Sequence, residues 1–428
     1  MKPLRWFWLV GAMVALVGCG WGPQAPSSPG PGEVATAVAA TLQALGHPTS
    51  AAPTAPAPSP TSQPTPPPTA QPTAPPAPPA APWPSGVWVG DEASHTADFY
   101  RLPTTDIGGT ANLPPNASVD ADLLRPVGPA DQVAFVYTDF QPQVLTFVPP
   151  SGPAQPYAAL PPGAGGAPSA LIALLSHPPS AHFAYAYMVY GANYQQRSYL
   201  ALGALGQSPR QVLDVDASEG YGLLPLGYEM DAQGAVQALW ATTRLFGIGN
   251  VMVAPSRGLW RVDLGSGQAT PILPPSANGV DHHILGVAPN GAAFAYWRQD
   301  DPGHVQVGFP GQGQPVALST VAAVTDASTI GYAAFSPDAR YVAWAEYTGS
   351  FDAGYQGHVA LYDLTTAQPL SVTNPLPGSY AVAPVAWVSA HTLLLSGWDG
   401  NDPVVVLWDF QGQAAPTVWL GHFLGVQH

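Results

Sequence analysis

The residues in this chain with the most to offer chemically sit in its long, variable segments. Tyr187-Met-Val-Tyr-Gly-Ala-Asn-Tyr-Gln-Gln-Arg-Ser-Tyr199, Glu346-Tyr-Thr-Gly-Ser-Phe-Asp-Ala-Gly-Tyr-Gln-Gly-His358 and Ser396-Gly-Trp-Asp-Gly-Asn-Asp402 gather aromatic, arginine and carboxylate side chains. Tyrosine, tryptophan and arginine are the residues that most often anchor a bound partner. The candidate binding residues are therefore Asp139, Tyr190, Tyr194, Arg197, Arg244, Arg298, Glu346, Tyr355, Trp398 and Asp399. The acidic groups could instead serve glycoside hydrolysis, which needs two carboxylates about 5–10 Å apart. Any two of the many aspartates could meet in space, and spacing along the chain does not say which. There is no Gly-x-Ser-x-Gly elbow, no His-Glu-x-x-His and no phosphate loop.

Metal chemistry finds little support. Asp281-His282-His283 has the right residue types, but adjacent side chains in a strand point to opposite faces, so the pair reads as an ordinary strand start. Asp214-Val-Asp-Ala-Ser-Glu219 and Asp399-Gly-Asn-Asp402 are rich enough in oxygen for Ca²⁺. Neither follows the twelve-residue calcium loop, and both read as Asx-type turns. No catalytic residue, metal or cofactor is expected.

Cys19 is the only cysteine, which excludes a disulfide framework and a thiolate metal site. Lys2 and Arg5 precede an apolar run from Trp6 to Val17, and the run leads into Leu16-Val17-Gly18-Cys19. A bilayer span needs about 20 apolar residues, so this shorter run suits a signal-peptide core. The tetrapeptide resembles the lipobox of bacterial lipoproteins. That resemblance implies that residues 1–18 are a removed signal peptide and that Cys19 carries a diacylglyceryl group with palmitate-type chains. The protein would then be anchored to the cell membrane on its extracytoplasmic side. Each buried methylene is worth about 0.8 kcal/mol, so two or three acyl chains anchor firmly. A plain secretory signal with an incidental cysteine is the alternative.

The elements that must position the candidates lie further along. Residues 19–47 form the expected anchored N-terminus, with a short helix over 33–45 that puts Val34, Val38, Leu42 and Leu45 on one face. Residues 48–84 hold sixteen prolines and no charge. Proline fixes φ and removes donors, so this stretch reads as a disordered stalk. In polyproline II geometry it reaches on the order of 100 Å. A role as an SH3- or WW-type ligand is the alternative.

Residues 85–428 form the expected folded domain. Lys2 is the only lysine and glutamate is rare, so the residues that cover exposed helical faces are almost missing and an all-β body is favoured. The formal charge of −15, with no basic stripe, excludes nucleic acid as a partner. A recurring unit pairs an apolar strand, a tight turn and a second strand, as in Ala333-Ala-Phe-Ser-Pro-Asp-Ala-Arg-Tyr-Val-Ala-Trp344. His358-Val-Ala-Leu-Tyr-Asp-Leu-Thr-Thr-Ala-Gln-Pro-Leu370 supplies the second half. Second strands are expected to begin near Val133, Phe183, Val236, Ala293, Val342 and Leu393. That period of about 50 residues fits propeller blades.

Phe335-Ser-Pro-Asp-Ala-Arg-Tyr-Val-Ala-Trp344 resembles the hairpin of TolB-like, WD-repeat-related β-propellers. Ala339 departs from the usual glycine, which Asn290-Gly291 keeps. Val87–Asp91, 97–106 and 110–114 match the last three strands of one more blade, whose inner strand could be His422-Phe-Leu-Gly-Val426. The expectation is an all-β propeller of seven four-stranded blades, closed by strands from both termini, with six blades as the fallback. Two packed β-sandwiches would explain the turns but not the period. In a propeller, the tight turns share one face and the long second-to-third loops the other. The ends of the second strands, Asp91 among them, should then reach that other face near the channel. The functional expectation is a monomeric, non-catalytic lipoprotein that binds or scaffolds an envelope protein or glycan. The rival is a carbohydrate-active or other hydrolytic enzyme using acidic residues on the same face.

Overall fold

The computed structural model describes residues 78–428, apart from 114–116, 118–122, 141–142, 164–168, 178–179, 192–194, 247–252, 278, 323, 351–353 and 379. The signal peptide, Cys19, the 33–45 helix and most of the stalk therefore lie outside the described residues.

Strand pairing yields seven antiparallel sheets, each the blade of a β-propeller. The innermost strands of blades 1 to 7 are His422–Gln427, Leu124–Val127, Ala170–Ser176, Tyr221–Met230, Val280–Val287, Ile330–Phe335 and Ala381–Ser389. The second strands are Gly86–Asp91, Ala134–Phe140, His182–Tyr190, Val236–Leu245, Phe294–Arg298, Tyr341–Ser350 and Thr392–Trp398. The starts of the last six fall within one residue of the positions read from the repeat. Blade 1 is completed by the C-terminus, with Gly86 opposite Gln427 and Gly90 opposite His422. Closure of this kind leaves no inner edge for another chain to pair with. Blade 5 carries one extra two-residue strand, Ser276–Ala277, paired to its inner strand.

The core lies between blades. Second strands are covered on both faces, so they read as apolar runs rather than alternations: Leu393, Leu394 and Leu395 are all fully buried. Trp88, Trp240, Trp297 and Trp344 occupy four second strands and are likewise buried. Burial at about 25 cal/mol per Å² makes these indoles major contributors to blade–blade cohesion.

The turns explain themselves residue by residue. In blade 6 the Asp338 carboxylate accepts from the Ser336 hydroxyl at 2.6 Å and from the Arg340 amide at 3.1 Å. The Ser336 hydroxyl in turn accepts from the Tyr341 amide at 2.8 Å. Ala339 takes the left-handed position at φ 55°, where blade 5 has Gly291 at φ 70°. A Cβ on Gly291 would come within 2.5 Å of Glu229, whose carboxylate grips Arg261 at 2.7 and 2.8 Å.

These tight turns define a lower face, and the second-to-third loops an upper face. The last proline-rich residues lie across the lower face. The Ala81 amide donates to the Pro337 carbonyl at 2.9 Å, and Ala81 is buried. Asn290 Nδ2 donates to the Pro79 carbonyl at 3.4 Å.

Candidate functional site

The innermost strands enclose a central cavity of about 730 Å³ to which all seven blades contribute. Its walls are mainly apolar: Leu226, Leu285, Val287, Val385 and Phe423 are among the lining residues. Its polar groups are concentrated towards the ends.

The upper end carries cations and aromatics. Arg244 stands near the top of the second strand of blade 4, opposite Gly222, and lines the channel. Its guanidinium lies 5.5 Å from the Phe246 ring centre. Arg125, from the inner strand of blade 2, lies lower in the channel, opposite Val136, the third residue of its blade's second strand. Trp398 tops the second strand of blade 7, opposite Ala381, and is 50% exposed. Tyr332 is 41% exposed and adopts φ 56°, a left-handed backbone that costs about 1–2 kcal/mol for a side chain of this kind. It sits in a bulge, because the register shifts between Gly331 and Ala334. Beside it is the buried Tyr347, whose phenol is pushed up by burial and then by Tyr332.

The lower end is capped by His177, Met230 and His428, with Pro84 also lining it. The His177 and His428 rings stack, and His177 Nε2 lies 2.9 Å from the Met230 sulfur. Burial, then the neighbouring His428 and His182, hold His177 down to about 4. Among the described lining residues there is no aspartate or glutamate.

The candidates read from sequence scatter. Arg244 and Trp398 line the channel. Tyr190 is exposed at the end of the second strand of blade 3. Arg197 is paired with Asp214 on the neighbouring outer strand. Arg298 is clamped by Asp300, with Nε 2.8 Å from Oδ1. Asp399 closes a turn, accepting from the Asn401 and Asp402 amides at 2.9 and 3.0 Å, and Asp91 does the same for Ala93. Glu346 is fully buried rather than at the face. It accepts from the Val321 amide at 2.9 Å, from the Ala322 amide and from Trp344 Nε1 at 2.7 Å, so it pins the 321–322 segment to the core. Desolvation pushes its carboxyl up, against the pull of those three donors. Asp139 and Tyr355 lie in strands, but their side chains, like the whole of Tyr194, lie outside the described residues.

The two histidines at 282–283 point apart, as alternation requires. His282 Nδ1 is 2.9 Å from the Pro274 carbonyl and the ring meets Tyr296 edge-on. His283 bridges blades, accepting from the Ser256 amide at 2.9 Å and donating through Nε2 to the Ile330 carbonyl at 2.8 Å. Arg125, Tyr332, His177 and His428 were not singled out from sequence. Arginine or histidine on an innermost strand was the available signal, but it becomes readable only once the inner strands are assigned.

No family model and no curated protein matches the chain. Among solved structures it resembles oligogalacturonate lyase in complex with manganese, at 9% identity over 80% of this chain and 90% of that one, with a TM-score of 0.47. The oligogalacturonate lyase from Vibrio parahaemolyticus gives 9% identity, 79% and 91% coverage, and a TM-score of 0.45. Sqt1 of Saccharomyces cerevisiae gives 13%, 82% and 87%, and 0.43. Likenesses this distant bear on neither activity nor ligand, and the seven blades rest on the strand pairing itself.

Proposed function

We propose that this chain is a membrane-anchored extracytoplasmic lipoprotein of TolB-like type whose propeller is a non-catalytic binding module. Its upper face holds an envelope protein or glycan. The observation that carries this reading is the blind central cavity, with aromatic and arginine side chains at its upper rim and no carboxylate among its described lining residues. Acid–base hydrolysis of a glycosidic bond needs a facing carboxylate pair, whereas arginine and aromatic side chains around a recess are what a binding hot spot uses. The lipobox-like Leu16-Val17-Gly18-Cys19 supports the anchor, and Pro79 and Ala81 bond on the lower face, the one opposite the rim.

The test compares the full-length protein in nanodiscs with a Tyr190→Ala/Arg244→Ala/Trp398→Ala variant of unchanged melting temperature. Both are presented to envelope extract and to a glycan array, and both are assayed for polysaccharide cleavage. A ligand held by the parent and lost by the variant, with no cleavage, supports the binding module. Cleavage, or identical capture by both forms, sinks it.

A further inference from the structure

The floor of the channel holds a chemistry that the rim does not. Ser180 Oγ donates its one proton to the His177 carbonyl at 2.7 Å and accepts from the His182 amide at 3.2 Å. With that proton committed, the hydroxyl meets His177 Nδ1 at 3.3 Å as an acceptor. Nδ1 therefore carries the ring proton, and Nε2 is left as a bare lone pair. That nitrogen faces the Met230 sulfur 2.9 Å away, and a thioether has lone pairs but no proton to offer. Two acceptors thus confront each other with no hydrogen between them, in a site where His177 and Met230 are both buried. His428 repeats the arrangement. Its Nδ1 lies 3.1 Å from the Pro82 carbonyl, which can only accept, so its Nε2 is bare as well. Its ring runs parallel to that of His177, with centroids 5.9 Å apart.

A packed floor of neutral rings accounts for the burial but not for two acceptors face to face. A cation between them does. Histidines that hold metals donate their other ring N–H to a carbonyl or a similar group, which fixes the free nitrogen. Both rings do so here. Imidazole with thioether is a soft donor set, and softness selects Cu(I). No aspartate or glutamate stands among the described lining residues, so a dication would be buried without compensation, whereas a monovalent ion costs far less. All three side chains line the channel, which supplies the route in. The unbranched Met230 can turn to admit an ion between sulfur and nitrogen. We propose that the channel floor binds a single Cu(I) ion through His177 Nε2, the Met230 sulfur and His428 Nε2, with Ser180 and the Pro82 carbonyl orienting the rings.

Full-length protein without a histidine tag, in nanodiscs, competes for Cu(I) with bicinchoninate under anaerobic reducing conditions, empty nanodiscs serving as the blank. Wild type is expected to withdraw one copper per chain. Met230→Leu, which keeps the packing and removes the sulfur, and His428→Gln should each weaken Cu(I) roughly tenfold or more. Cys19→Ala removes the only thiol and should change nothing. The same holds for His304→Gln/His391→Gln, whose rings pair with Asp301 and Asp409. Should Met230→Leu fail to fold, the copper K-edge spectrum of Cys19→Ala protein replaces it, and should show sulfur bound to the metal. Copper stripped completely by bicinchoninate overturns the site. So does binding that survives folded Met230→Leu and His428→Gln, binding that vanishes with Cys19→Ala, or a spectrum without sulfur. Zn²⁺ held more tightly than Cu(I) overturns the choice of ion. The readout is metal retained by the purified protein, so none of these outcomes depends on what the rim captures.

Discussion

His177 and His428 stack with ring centroids 5.9 Å apart and an interplanar angle of 10°, joining the inner strand of blade 3 to the C-terminus across the floor of the channel. His428 Nδ1 lies 3.1 Å from the Pro82 carbonyl, so the same contact ties down the segment that enters the propeller. Two imidazoles can lie face to face in a buried site only while both are uncharged. Burial lowers both, His177 to about 4.

Acid should therefore loosen the floor. The folded form refuses protons that the unfolded chain accepts below the ordinary histidine value of 6.5, so stability is full above 6.5 and declines as pH falls towards about 4. For His177 alone the loss is on the order of 3 kcal/mol. Among the described residues nothing anionic compensates: His182, Ser180, Tyr228 and the Met230 sulfur are its neighbours. Urea midpoints measured between pH 7.5 and 4 should drop in the parent and drop less steeply in His177→Gln. A parallel slope in the two proteins would show that the stack does not titrate as described.

Glu346 is the clearest case of a carboxylate doing a structural job. Replacing it with glutamine puts an amide NH2 where amide and indole donors already converge, leaving at least one buried donor without an acceptor. The expected loss is about 2 kcal/mol in urea unfolding, with ligand binding at the rim unchanged in the folded fraction. A ligand that binds normally to wild type but not to folded Glu346→Gln would return this residue to the binding face.

Ring closure offers a third measurement. Leu424, fully buried, comes from the C-terminal inner strand and shares a cluster with Trp88, Phe135 and Leu124. It therefore joins blade 1 to blade 2 as well as one terminus to the other. Leu424→Ala should cost about 2–5 kcal/mol and lower the cooperative melt of the whole propeller. If the last strand were only an appendage, the main transition would stay where it is.

How much of this was readable beforehand depends on the strand. Second strands announce themselves, because burial on both faces produces runs such as Leu393–Leu395, and their starts fell within a residue of expectation. The Ser-Pro-Asp-Ala and Ala-Pro-Asn-Gly turns were legible for the same local reason, a side chain bonding its own backbone. The site was less legible. Second-strand ends were expected to face the channel, yet Arg298 folds back onto Asp300 and Glu346 turns into the core. Neither outcome is encoded in spacing, since each depends on a partner that only the fold supplies. Arg125 and Tyr332 escaped notice because they belong to inner strands, and Tyr332 lies in a bulge that breaks the period-2 alternation.

The proposed anchor has its own experiment. Cells expressing the full chain and fed labelled palmitate should yield a labelled, membrane-bound protein, and Cys19→Ala should lose the label and partition from the membrane. Retention of label by Cys19→Ala would place any acylation elsewhere and discard the lipobox reading.

Tyr332 separates stability from binding. Its backbone is held at φ 56° by the bulge, and the bulge presses the Ala333 carbonyl so close to Gly286 that a Cβ there would come within 2.0 Å of it. A bulky residue kept in a left-handed conformation, exposed and lining a cavity, has the character of strain retained for a purpose. Tyr332→Gly removes the ring and makes the conformation nearly strain-free, so it should raise the unfolding free energy by up to about 1 kcal/mol. The same variant should bind any ligand found at the rim several-fold more weakly, because the aromatic wall at the upper mouth is gone. Tyr332→Phe, which keeps both ring and strain, should leave the melt unchanged and bind close to normally. If Tyr332→Gly instead melts lower and binds as before, the ring is packing for Tyr347 and its position at the mouth has no part in recognition.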